Sequence, residues 1–152
     1  MIRIIAVGKI KDSHLVSLIE DYKKKINRYH KIEIVEVKDE PIRDNEAEVL
    51  KTEGERVLKL IDNRDYVIVL DLHGKQMDSL KFAGHIDELF NSNSRIVFVI
   101  GGSLGLSKEL VDRANERLKL SEMTFLHSMT RLILIEQIYR AFKILGNETY
   151  HK

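Results

Sequence analysis

The sequence predicts an α/β fold, a mainly parallel sheet with helices on both faces. Short β-branched runs alternate with helical patterns from one end to the other, the order that builds parallel sheets. Two of the runs, Tyr66–Leu72 and Arg95–Ile100, are almost continuously apolar, as strands covered on both faces must be. No repeat, low-complexity segment or linker divides the 152 residues, so positions 1–152 read as one domain.

Ile2–Val7 is the first strand, and Gly8 opens its turn. Asp12 or Ser13 caps a helix whose Leu15, Leu18, Ile19, Tyr22 and Ile26 share one face. Ile32–Val37 is a short β-branched strand. After Pro41 a polar helix runs from about Asn45 to Ile61, with Leu50, Val57 and Ile61 inward. Tyr66–Leu72 is a buried strand, and Ser79 caps a helix carrying Phe82, Ala83, Ile86, Leu89 and Phe90. Arg95–Ile100 ends in Gly101-Gly102, Ser107 caps a helix to about Arg117, and Leu118–Leu120 is a brief last strand. The final helix, about Ser128 to Leu145, stops at Gly146. Its Leu132, Ile133, Leu134, Ile135 and Ile138 make it apolar on most sides, so it lies either in a homodimer interface or at the centre of its own fold.

Composition excludes several classes. With 43% apolar and 32% charged residues, one Pro and eight Gly, the chain is neither disordered nor collagen-like. Zero Cys removes disulfides, thiolate metal sites and cysteine nucleophiles together. No apolar run reaches the roughly 18–20 residues that span a bilayer. The opening Met1–Gly8 is too short for a secretory signal, which predicts a soluble, cytoplasmic protein without a membrane partner. The net charge of +1 hides an uneven distribution. Residues 1–31 hold eight Lys or Arg against three acids, and residues 32–65 hold six against eleven.

Parallel sheets bind ligands beyond the carboxyl ends of their strands. Three such ends stand out: Leu70–Lys75, Ile100–Gly105 and Leu120–Phe125. Gly101, Gly102 and Gly105 allow close backbone approach, but their spacing is neither a dinucleotide fingerprint nor a P-loop. An adenosine-type ligand held by backbone amides and apolar walls fits such a loop better than a triphosphate. The six His show no metal-ligand spacing, so no metal site is expected. Ser103 follows two glycines without the G-x-S-x-G of a nucleophile elbow. The best polar constellation is C-terminal. His127 and Arg131 are four apart on one helical face, Glu136 and Arg140 are spaced for an ion pair, and Tyr150-His151 ends the chain.

In order, these residues resemble the RlmH family of small SPOUT-class methyltransferases. The motifs are Ile4-Ile5-Ala6-Val7-Gly8-Lys9, Leu70-Asp71-x-x-Gly74-Lys75, Phe98-Val99-Ile100-Gly101-Gly102-Ser103-x-Gly105 and Met123-Thr124-Phe125-x-His127. Arg131-x-x-x-x-Glu136-Gln137-x-Tyr139-Arg140-Ala141 and Tyr150-His151 complete a match along the whole chain. One departure is Leu126, where family members often carry Pro before the His.

The resemblance implies a homodimer whose C-terminal part, about 66–152, forms a trefoil knot. It implies S-adenosyl-L-methionine contacted by Leu70, Gly101, Gly102, Gly105 and the loop Leu120, Ser121, Glu122, Met123, Thr124 and Phe125. The implied reaction is N3 methylation of a pseudouridine of 23S ribosomal RNA within the assembled ribosome, leaving S-adenosyl-L-homocysteine. A base N3 carries a proton and is a poor nucleophile, so the expected roles are positive charge from Arg131 and Arg140 and proton handling by His127 or His151. Tyr150 would stack or hydrogen-bond as the tail closes. Lys9, Lys11, Lys23 and Arg28 are candidate phosphate contacts. Competing readings are a knotted methyltransferase for another RNA such as tRNA, a non-catalytic ribosome-associated module, and a flavodoxin-like binding domain. The last is disfavoured because Gly8–Asp12 has no phosphate-cradling pattern.

Overall fold

The computed structural model describes residues 1–152. Five strands, β1 (Ile2–Val7), β2 (Ile32–Val37), β3 (Tyr66–Lys75), β4 (Ile96–Ile100) and β5 (Glu116–Leu118), form one sheet in the order β2-β1-β4-β3-β5. Every neighbouring pair is parallel. The helices are α1 (Ser13–Ile26), α2 (Glu46–Leu58), α3 (Ser79–Ser92), α4 (Lys108–Arg113) and α5 (His127–Leu145).

Side-chain alternation along the strands divides the core in two. Ile2, Ile4, Ala6, Ile68 and Phe98 face α1, α3 and α5, while Ile5, Val7, Val67, Val69, Val97 and Val99 face α2 and α4. Every residue of β4 is buried, which explains its uninterrupted apolar run. Removing one such side chain from water contributes about 1.5–3 kcal/mol.

Several boundaries differ from the sequence reading. Leu18 lies 43% exposed, because α1 turns Leu15, Ile19, Tyr22 and Ile26 inward instead. In α2 the inward face is Val49, Glu53, Gly54 and Val57, leaving Leu50 and Ile61 at its margin. Helix α4 stops at Arg113, and the last strand is Glu116–Leu118 rather than 118–120. Asp78, not Ser79, caps α3, since its carboxylate accepts from Lys81 N while Ser79 Oγ donates 2.7 Å to Gln137 Oε1. The caps Asp12 and Ser107 form as the sequence predicts.

Helix α5 lies on the sheet between α1 and α3, so Leu134, Ile135 and Ile138 are fully buried within one chain. A central position accounts for these three, whereas Leu132 and Ile133 stay half-buried. Past β5 the chain leaves a different apolar surface open, with Met123 and Leu126 both more than 70% exposed.

Strand β3 bends after Leu70 and returns against β5, so that Leu118 pairs with Leu70 and also with Lys75. Lys119 N donates to Lys75 O at 2.9 Å. The crossing is tight, because a Cβ on Gly74 would sit 2.7 Å from the Arg117 carbonyl carbon. Only glycine fits such a backbone contact.

His30 packs its ring 4.2 Å from that of Phe90, near Phe142, and its Nε2 is buried without a partner. Burial holds the imidazole below its usual range. The unfolded chain therefore binds this proton more strongly than the folded one. Stability from this residue is full above about pH 6.5 and is lost as pH falls below it. We expect Tm to drop as pH falls below about 6.5, and to drop less in His30→Phe. Calorimetric scans at several pH values check this, and equal pH dependence in both proteins contradicts it.

Candidate active site

The three strand ends singled out in the sequence meet at one edge of the sheet. They enclose a cleft of about 430 Å³ lined by Leu70, Leu72, Ile100–Leu106, Thr124–His127 and Thr130. An adjoining lobe of about 110 Å³ adds Asp71, Leu118–Ser121 and Met123. Leu70, Leu72, Thr124, Phe125 and Thr130 belong to both lobes, so the two form one continuous site. Its size suits a small-molecule ligand, for which clefts run about 300–1,000 Å³.

The glycine loop is pinched shut. A Cβ on Gly101 would collide with the Gly105 carbonyl oxygen and lie 2.8 Å from its carbon. Gly105 has φ +92 and donates its N–H to Gly102 O at 3.0 Å. Across the cleft, Met123 N donates to Ser121 Oγ at 3.0 Å, shaping the facing loop. Glu122 points outward, where its carboxylate meets Lys119 Nζ at 2.7 Å on the rim. The larger lobe offers apolar walls and backbone groups but no Lys or Arg to neutralise phosphates. These residues fit an adenosine-bearing ligand such as S-adenosyl-L-methionine.

Sequence reasoning missed Leu106, Leu126 and Thr130 as lining residues, while Leu72, Ser103 and Leu104 fall within the strand ends it grouped. Thr130 stood in plain view, one helical turn after Leu126 and His127.

His127 is the first residue of α5 and sits exposed at the mouth of the cleft. Leu126 precedes it with φ −55 and ψ 140, a backbone that proline also adopts. The departure from the family pattern at this position thus leaves the local geometry intact.

Arg131 does not join His127. It is 3% exposed, with Nη1 2.6 Å from Glu36 Oε2 and Nη2 3.2 Å from Gly8 O. Glu36 also accepts from Ile10 N at 3.2 Å, so Arg131 ties α5 to the ends of β1 and β2. Its side chain lines a separate cleft with Lys9, Ile19 and Glu36.

The remaining predicted residues gather halfway down α5. Arg140 Nη2 donates to Glu136 Oε1 at 2.6 Å, while its Nη1 lies 3.2 Å from His151 Nδ1. Arginine cannot accept, so Nδ1 is the acceptor in this contact and Nε2 carries the ring's hydrogen. Tyr150 Oη donates to Glu136 Oε1 at 3.0 Å, and Arg140 lies over the Tyr150 ring at 4.8 Å. Burial of the Tyr150 phenol, its neighbour Tyr22 and the Glu136 carboxylate all raise its pKa, so it stays protonated. Gln137 Nε2 steadies the second Glu136 oxygen at 2.9 Å. The tail is folded back and held.

His127 and Arg140 are about 20 Å apart along the helix axis, at 1.5 Å per residue. Within one chain the cleft and the tail cluster are therefore separate constellations.

The family model described as predicted SPOUT methyltransferase matches residues 1–151. A Clostridium beijerinckii protein named ribosomal RNA large subunit methyltransferase H is 50% identical, with 99% of each chain covered. An Acetivibrio thermocellus protein of the same name is 48% identical over the same shares. Among solved structures, a probable methylase family protein from Haemophilus influenzae shares the fold. Its TM-score is 0.57 at 14% identity, covering 99% of this chain and 70% of that one. A family match over almost every residue, joined to a parallel sheet whose strand ends build one ligand cleft, leads to one conclusion: this chain belongs to the SPOUT methyltransferase family.

Proposed function

We propose that this protein methylates large-subunit ribosomal RNA, using S-adenosyl-L-methionine held in the cleft between Leu70, the Gly101–Gly105 loop and the Leu120–Phe125 loop. The target is N3 of a pseudouridine in 23S RNA of the assembled ribosome, and the compartment is the cytoplasm. The observation that carries this reading is 50% identity across 99% of both chains with a relative of that name.

Residues 1–152 act as one unit whose part from about 66 onward is knotted. The bend of β3 around β5, with Leu118 paired to both Leu70 and Lys75, supports the threading. The working form is a homodimer. The base N3 must approach the methyl carbon to about 3 Å, and the tail cluster, a length of α5 away from the cleft in its own chain, cannot attend it there. A second copy placing its tail at the cleft resolves that separation, and the exposed Met123 and Leu126 supply an apolar surface for it.

When bound, S-adenosyl-L-methionine supplies a methyl group activated on a sulfonium. The protein's work is then to position the base and to manage the N3 proton. Arg140 places a fixed positive charge beside the developing anion, and Glu136 fixes the direction of that guanidinium. His127 at the cleft mouth is the group placed to take the proton, while His151, its Nδ1 held by Arg140, presents an Nε2–H donor to the base. Arg131, locked to Glu36 and Gly8, serves by holding α5 in register with β1.

The test is to follow label from S-adenosyl-L-methionine into unmodified ribosomes and to digest the RNA to nucleosides. Label in 3-methylpseudouridine of the large subunit is expected. Label in another nucleoside, or in tRNA offered alongside, overturns the substrate.

A further inference from the structure

We infer that the C-terminal turn of α1, with the aromatic cluster it shares with α5 and the tail, is the surface that holds unpaired RNA beside the target nucleotide. Four of the five tyrosines, Tyr22, Tyr29, Tyr139 and Tyr150, meet here, with ring centroids 5.0–6.5 Å apart through Tyr139. Lys25 lies 5.2 Å from the Tyr22 ring centre, Lys143 lies 5.5 Å from that of Tyr29, and Arg140 covers Tyr150. Three cations, Lys25, Arg140 and Lys143, make the five cation–π contacts of the chain. All five that the structure contains fall on this one patch.

Packing against α5 explains the buried Tyr139 and the side of Tyr29 that stacks on Phe142 at 5.8 Å, but not the exposed remainder of Tyr29. Tyr29 is 39% exposed, and Lys24, Lys25 and Arg28 stand exposed without a carboxylate partner. Unpaired cations beside a partly exposed aromatic ring suit phosphates and splayed bases, the combination that holds single-stranded nucleic acid. Position matters as well. The patch adjoins Tyr150 and Arg140, whereas Lys9 and Lys11 precede the other end of α1, about 20 Å away. The strand thus runs from Lys24 and Arg28 across Tyr29 toward the tail cluster.

The inference rests on ribosomal RNA being the substrate, and the experiment separates the two. Steady-state methyl transfer to intact ribosomes is measured for wild type, Lys24→Glu/Arg28→Glu, Tyr29→Ala, Tyr29→Phe, and a charge-matched control on the opposite sheet face, Lys51→Glu/Lys59→Glu. The double reversal on α1 raises KM about tenfold or more and flattens the dependence of log(kcat/KM) on log salt by about one to two. Its kcat stays within about twofold and its affinity for S-adenosyl-L-methionine is unchanged. Tyr29→Ala raises KM about fivefold or more, and Tyr29→Phe restores it, because stacking needs the ring and not the hydroxyl bonded to Glu148. Wild-type KM and salt slope in the α1 double variant overturn the surface alone, as does an equal rise in the control. Absence of transfer by wild type overturns the functional reading and the surface with it.

Discussion

Replacing His151 or Arg140 by Ala lowers methyl transfer by about 100-fold or more while S-adenosyl-L-methionine binds as tightly as before. The separation of effects follows from the two constellations. The cleft is built from β3, β4 and the loop before α5, and neither tail residue lines it. The tail cluster hangs on Glu136, whose one oxygen accepts from both Arg140 and Tyr150. Arg140→Ala strips that carboxylate of its cation and leaves His151 Nδ1 without its donor. Arg140→Lys keeps the charge but not the fork that spans Glu136 and His151, so it recovers only part of the rate. Rapid-mix transfer assays on intact ribosomes, paired with calorimetric cofactor titration, read the two quantities independently. A normal rate in His151→Ala removes the tail from the chemistry.

Gly101→Ala produces the converse phenotype, a fold that survives and a cleft whose glycine loop is pushed out of its ligand-ready shape. The added Cβ meets backbone of Gly105, which cannot swing aside as a side-chain tip would. Overpacking of this kind costs about 1–3 kcal/mol, and each 1.4 kcal/mol charged to the bound state is about a tenfold loss of affinity. We expect Kd for S-adenosyl-L-methionine to rise about tenfold or more, with Tm lowered by a few degrees. Gly84→Ala is the matched control, since nothing lies within 4 Å of its added Cβ on α3. It leaves cofactor affinity unchanged. Wild-type affinity in Gly101→Ala would place the cofactor elsewhere.

Strand positions were legible because β3 and β4 carry apolar side chains on both faces, a pattern that admits few alternatives. The cleft was legible for the same reason: parallel strands put their carboxyl ends on one edge, so Leu70, Gly101 and Phe125 could be grouped before any coordinates. Periodicity failed where long side chains choose among partners. Four-residue spacing put His127 and Arg131 on one face, but Glu36 and the Gly8 carbonyl, both remote in sequence, draw the guanidinium away. At α5 it left two explanations standing, and burial between α1 and α3 accounts for Leu134, Ile135 and Ile138 while Leu132 and Ile133 stay half-buried. The folded-back tail was visible only as Tyr150-His151 near the end of the chain. The Glu136–Arg140 pair was legible from its four-residue spacing, but the bonds of Tyr150 to Glu136, His151 to Arg140 and Glu148 to Tyr29 join residues that no local pattern links.

The central claim is that the cleft at the strand ends powers methylation of ribosomal RNA. The most direct measurement charges wild type and Gly101→Ala with subsaturating labelled S-adenosyl-L-methionine and mixes each with intact, unmodified ribosomes. Label entering large-subunit RNA with wild type, and falling about tenfold or more with Gly101→Ala, is the predicted result. Equal labelling by both proteins, or wild type that binds the cofactor and labels no ribosomal RNA, would contradict it.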